Sequence, residues 1–232
     1  MKRWSWYYAF LLALFLAVWI WAAIDPLLPD GWLLENYLVF LFVPLIFITG
    51  RYLKLSHFSY TLITLFMIFH VIGSHYTYAQ VPFGFTLQEW FGSSRNMYDR
   101  LVHLTFGLLL SYPVREVFVR ITKTKGFWGY YFPVELTLAF SALYELIEWG
   151  AAAFVNPDAG LAFLGAQGDI WDAQKDMLLA FLGALFTMTL TFFINLWYRT
   201  DAISEIKESL KVPDRDRPMG ERTLRDLMQR SR

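Results

Sequence analysis

The chain contains no cysteine. That removes disulfides, thiolate metal sites and a cysteine nucleophile, and leaves histidine and carboxylate as the groups able to hold a metal ion. Charge is scarce as well. Only 17% of the 232 residues are Asp, Glu, Lys or Arg, against roughly 25% in a soluble domain. Twenty basic residues balance twenty acidic ones, so no global field draws in nucleic acid or an acidic substrate. No internal repeat, phosphate loop, dinucleotide fingerprint or Gly-x-Ser-x-Gly elbow is found. Ser93, Ser94 and Ser141 have no His–acid arrangement around them that would make a nucleophilic triad.

What the chain has is apolar surface: 56% hydrophobic and 19% aromatic residues. Six apolar runs, roughly 5–24, 33–50, 58–76, 98–121, 130–154 and 176–198, are long enough to span or nearly span a bilayer. They predict an all-α polytopic transmembrane bundle (residues 1–199) followed by a short helical tail (200–232). The first run follows Lys2 and Arg3 and is too long for a cleavable signal core, so it reads as a retained span. Breaks are expected at Asp25-Pro26 and Pro29-Asp30-Gly31, from Lys123 to Gly126, and at Asn156-Pro157-Asp158 and Gly160.

The basic residues set an expected orientation. Lys2 and Arg3, then Arg51 and Lys54, then Arg115, Arg120, Lys123 and Lys125, then Arg199 fall on alternate connections. The positive-inside rule puts these, and both termini, on the cytoplasmic side of the membrane. Asp25, Asp30 and Glu35, with Arg95, Arg100 and Lys175, fall on the other side. In the tail, Ile203, Ile206 and Leu210, then Leu224, Leu227 and Met228, recur at helical spacing and predict two short solvated or interfacial helices, with partner docking as the alternative. The connection Thr77 to Met97 is aromatic (Tyr78, Phe83, Phe85, Trp90, Phe91) and is expected to pack at the outer interface, or to act as a lid over an outer pocket.

Polar residues inside the apolar runs carry the functional signal, because a charge at mid-bilayer costs about 2.5–3.5 kcal/mol even on insertion scales. His70 and His75 lie on the third run, Asp99 and His103 on the fourth, Glu145 and Glu148 on the fifth, and Asp169, Asp172 and Asp176 before and into the sixth. Spacings of three or four put each pair on one helix face. At 1.5 Å per residue, these groups share one outer layer within about 6–14 Å of the outer helix ends. The inner halves show only the Glu116–Arg120 pair, Glu135 near the inner interface, and His57.

The outer layer sets Asp99, Glu145, Glu148, Asp169, Asp172 and Asp176 against Arg95, Arg100 and Lys175. The surplus acid must be protonated, hydrated or bound to a cation. The expected metal ligands are His70, Asp99, His103, Asp172 and Asp176. Glu145 or Glu148 is the expected catalytic base, with His75, Asp169, Arg100 and Lys175 in supporting positions. Zinc, manganese or iron suits such donors.

Three segments carry a family resemblance: Met97-Tyr-Asp-Arg-Leu-Val-His103, Tyr144-Glu-Leu-Ile-Glu148, and Gly165-Ala-Gln-Gly-Asp-Ile-Trp-Asp172-Ala-Gln-Lys-Asp176. Together they resemble the YjdF-like family of uncharacterised bacterial inner-membrane proteins, from the first span to the sixth. The same layout is more distantly similar to VanZ-like membrane proteins. Their motifs are an Asp-Lys-x-x-His-like helix start, a Glu-containing later helix and an Asp-x-x-Asp-x-x-x-Asn helix start. Asp99 and His103 match the first, with Arg100 in the Lys place. Glu145 or Glu148 matches the second. Asp169, Asp172 and Asp176 match the third, with Asp176 where Asn is usual, a departure that favours cation binding. VanZ-like proteins are associated with glycopeptide-antibiotic resistance, and the resemblance implies a family and a location but no reaction.

Three functions remain open on the sequence: a metal-dependent hydrolase or transferase for an envelope lipid or lipid-linked intermediate, a proton or cation transporter or channel, and a non-catalytic structural or interaction protein. Membrane lipids are the expected partners in each.

Overall fold

The computed structural model describes residues 6–154, 165–212 and 228–229, which form helices and no strand. Lys2, Arg3, the break expected at 156–160, Leu224 and Leu227 lie outside the described residues. The helices are α1 (Trp6–Ala23), α2 (Pro29–Thr49), α3 (His57–Tyr76), α4 (Pro82–Phe91), α5 (Tyr98–Thr105), α6 (Ser111–Thr122), α7 (Trp128–Phe154), α8 (Asp172–Tyr198) and α9 (Ala202–Ser209). A π-helical turn, Phe106–Leu110, joins α5 to α6 into one rod. That rod, α1, α2, α3 and α8 are each long and apolar enough to cross a membrane. The 27-residue α7 is longer than most of them but carries Glu135, Glu145 and Glu148. The exposed surface of these helices is studded with large apolar side chains, among them Leu41, Ile48, Leu146 and Phe186. That is the pattern of a surface solvated by lipid, and the chain is a multi-pass membrane protein.

The long helices run alternately up and down. Tyr7 on α1 meets Thr61 on α3, so these two run together. Glu116 on α6 reaches Ser56 at the start of α3, and Asn195 on α8 reaches Tyr130 on α7. These contacts, with α9 docked on residues 126–128, mark one end of the bundle, the tail end. His75 against Ala22, Tyr98 against Phe69, and Asp172 against Arg95 mark the opposite, site end.

Two boundaries differ from the sequence expectation. Pro29 does not break the chain: it opens α2, because a residue without N–H and with a fixed φ suits the first helical turn. Likewise α8 starts at Asp172, one turn earlier than the apolar run, so Asp172 and Asp176 stand four apart on one helix. The aromatic connection after α3 is also more ordered than a loop. A 3₁₀ turn (Tyr78–Gln80) leads into α4, whose Phe83, Phe85, Trp90 and Phe91 are exposed.

Close packing of α8 on the α5–α6 rod fixes the site. Gly107 lies against the backbone of Ala180 and Ala184, and Gly183 against that of Leu104 and Leu108. A Cβ at either glycine would overlap those main-chain atoms. Small residues let two backbones touch, which is how helices gain van der Waals contact in lipid. The π turn sits one turn before Pro113, which cannot donate to the carbonyl four residues back. Thr187 Oγ1 on α8 donates to the Leu108 carbonyl within that turn, at 2.8 Å.

The tail end is tied by polar caps. Glu116 accepts from Ser56 N at 2.8 Å, from Ser56 Oγ at 2.8 Å and from Ser59 Oγ at 2.6 Å. It therefore caps the N-terminus of α3 as well as pairing with Arg120, as an anion at a positive helix end should. Ser209 of α9 accepts from Phe127 N and Trp128 Nε1, so this part of the tail is docked on the bundle.

Candidate functional site

The motif before α8 is a turn built for one conformation. Gly165 and Gly168 have φ of +60° and +84°, where a side chain would be strained, and Gln167 also has positive φ. The Gln167 amide exchanges two hydrogen bonds with the backbone of Asn96, accepting at 2.9 Å and donating at 3.2 Å. This pins the 165–171 segment to the start of α5. Arg95 and Arg100 then come to face the first turns of α8.

Both guanidiniums are buried and shared among acids. Arg95 pairs with Asp172 and with Asp99 (3.3 Å), and donates to the Gly165 carbonyl at 3.1 Å. Arg100 pairs with Asp176, with Asp172 (2.6 Å) and with Asp169 (3.1 Å). Lys175 closes on Asp169 at 2.7 Å. Outside the spans, that lysine and the Trp171 N–H hold the Asp169 carboxyl below its ordinary range. Arg95 was legible in the sequence only as a nearby cation, yet it organises as many groups as Arg100.

The carboxylates not consumed by arginine turn toward His103. Asp99 gives Oδ2 to Arg95 and stands with Oδ1 3.6 Å from His103 Nε2. Glu145 Oε1 lies 3.5 Å from the same nitrogen. Both separations are long for a hydrogen bond. They suit donors around one ion, since metal–donor bonds of about 2.0–2.2 Å place tetrahedral donors about 3.3–3.6 Å apart. One ligand atom from each of Asp99, His103 and Asp176 lies within 4.8 Å of the others. Asp176 Oδ1 and Glu145 Oε1 are buried without any hydrogen-bond partner. Orphaned buried carboxylate oxygens are costly unless a proton, water or cation meets them. Glu148 is buried one turn from Glu145 on the same face of α7.

The other expected ligands have separate work. His70 Nε2 faces the Glu35 carbonyl at 3.1 Å and Nδ1 faces Tyr78 Oη at 2.6 Å. A carbonyl can only accept, so Nε2 carries the hydrogen and Nδ1 accepts from the tyrosine. Both nitrogens are spent, and His70 stands outside the ligand group. His75 packs on Trp21 and reaches the Ala22 carbonyl, tying α3 to α1. Asp172 lies in the cluster as the shared partner of the two arginines.

Glu35 was missed as a site residue. It is 5% exposed on α2 and accepts from Tyr144 Oη at 3.0 Å, bridging α2 to α7 directly beside Glu145 in sequence. Its signal was available: a carboxylate two residues inside the apolar run 33–50. A cleft of about 370 Å³ opens next to the cluster, lined by Glu145, Trp149, Asp169, Ile170 and Asp172 among others.

The family model described as "Predicted membrane protein (DUF2238)" matches residues 7–196. The chain belongs to this family. It is 47% identical over 158 residues to the inner membrane protein YjdF of Escherichia coli (strain K12), a match covering 68% of this chain and 75% of that protein. No solved structure matches. The matched span holds the whole cluster from Glu35 to Asp176 and ends just before Arg199.

Proposed function

We propose that the chain is a divalent-cation-dependent hydrolase or transferase acting on an envelope lipid or lipid-linked substrate at the outer side of the inner membrane. The observation that carries this is the convergence of Asp99, His103 and Asp176 within metal-ligand range, beside two buried carboxylate oxygens without partners. Asp99, His103 and Asp176 would hold the ion, with zinc, manganese or iron as the fitting metals. Arg95 and Arg100 orient the carboxylates, each leaving one oxygen directed away from the guanidinium. Glu145 lines the cleft and is the general base, with Glu148 one turn away on the same helix face. A bound divalent ion would polarise a phosphoryl or carbonyl oxygen and acidify water.

The orientation belongs to the same reading. Arg51, Lys54, Arg115, Arg120, Lys123, Lys125 and Arg199 gather at the tail end, whereas the basic residues at the site end, Arg95, Arg100 and Lys175, are all neutralised by carboxylates. Positive-inside logic therefore favours six crossings, a 1–199 bundle with a 200–232 cytoplasmic tail, and a site facing outward.

One observation favours a cation path instead. Ser111 and Ser141 Oγ are buried below the acid layer without partners, so polar groups do extend inward. Metal analysis of full-length protein purified without chelator tests the enzyme reading: about one divalent ion per chain is expected, or one recruited on titration. His103→Gln and Asp176→Asn should each lose it. A chain that neither carries nor recruits a divalent ion contradicts it.

A further inference from the structure

The cleft beside the cluster is not lined by Asp99, His103 or Asp176, the residues that would hold the ion. Its volume, about 370 Å³, falls within the range of small-molecule sites, about 300–1,000 Å³. Glu145 lines it, is 8% exposed, and has Oε1 without a partner. Asp169 and Asp172 line it too. Each nearby cation is already engaged: Arg95 and Arg100 by three carboxylates apiece, Lys175 by Asp169. Among the described residues the cleft thus offers acceptors and no unengaged cation. An anionic headgroup would meet net repulsion there. A primary ammonium would find a charge-assisted acceptor at Glu145 and the indole of Trp149 on the same wall.

The position adds the apolar half of the ligand. The cleft lies at the site end, between the second half of α7 and the segment that leads into α8. Trp149 and Ile170 on its walls are exposed, and Leu146 stands exposed one turn before Trp149 on the same helix face. A chain lying along that face would meet lipid-solvated side chains while its head reached Glu145.

We propose that this cleft binds the headgroup of a membrane lipid bearing a primary ammonium, an ethanolamine-type head. The proposal rests on the enzyme reading for the claim that the lipid is transformed, and not for the claim that it binds.

Native mass spectrometry of the full-length protein, exchanged with equal amounts of phosphatidylethanolamine, phosphatidylcholine and phosphatidylglycerol of identical chains, tests it. The expected result is an enrichment of about tenfold for the ethanolamine lipid over the glycerol lipid, with and without EDTA. Choline, which has no N–H to donate, should fall well below ethanolamine. Glu145→Gln should abolish the preference, and Glu135→Gln, at the tail end, should keep it. Equal retention of the ethanolamine and glycerol lipids, or of the ethanolamine and choline lipids, overturns the proposal without any variant. An undiminished preference in a Glu145→Gln protein of wild-type melting temperature overturns it too. Absence of divalent-ion binding with the preference intact overturns the metal reading and leaves this one standing.

Discussion

His103 shows how far single residues can be read. Its spacing from Asp99 put both on one face, and the structure adds Asp176 and Glu145 from two other helices. His70 had the same sequence credentials, but Tyr78 and the Glu35 carbonyl occupy both of its nitrogens. Tyr78→Phe should therefore leave cation affinity unchanged while costing about 1–3 kcal/mol of stability, because it leaves the buried Nδ1 acceptor unpaired, read from thermal unfolding in detergent. Arg100→Met should behave differently. It strands several buried carboxylates, and removal of one partner of a buried ion pair costs about 3–5 kcal/mol. A melting temperature within a degree of wild type would show that the arginine is dispensable. Asp169 supplies a pH signature of opposite sign to a raised group. Its carboxyl is depressed, so its stabilising contribution is complete above the ordinary carboxylate range and fades as pH falls through the depressed value. Asp169→Asn should flatten that acid limb of a stability-against-pH curve.

Helices and their joints obey lipid rather than water. The apolar runs were legible because length and hydropathy alone define a span, and five of the long helices meet that test. The π turn at Phe106–Leu110 and the backbone contact at Gly107 and Gly183 were not legible, since glycine in an apolar run has no single meaning until its neighbour is known. Gly183→Leu should push α8 off the α5–α6 rod and lower stability by about 1–3 kcal/mol through overpacking, with cation affinity falling in step because Asp176 rides on α8. Loss of stability with affinity intact would separate packing from the site. Glu116 was read as an ordinary i,i+4 pair, although its three serine contacts come from residues about sixty positions away. Such distant capping leaves no local pattern.

Across the whole molecule, the alternate distribution of basic residues anticipated the up-and-down course of the helices, because both reflect which end of each helix meets which connection. The same reasoning makes orientation testable on a chain that has no cysteine of its own. A single cysteine introduced at Ser94 should react with an impermeant maleimide in intact cells, and one at Thr124 only after permeabilisation. The reverse pattern would invert the site and remove an envelope substrate from consideration. Glu35 teaches the complementary lesson. It looked like part of an outer connection, and only the approach of Tyr144 from α7 makes it part of the buried network. The central claim, however, concerns the ion itself. Loading the purified full-length protein with Mn²⁺ and recording its electron-spin-echo modulation tests that claim most directly. Coupling to one imidazole nitrogen, present in wild type and lost in His103→Gln, is the predicted result. Bound Mn²⁺ without nitrogen coupling, or coupling that survives that substitution, would contradict a centre built on Asp99, His103 and Asp176.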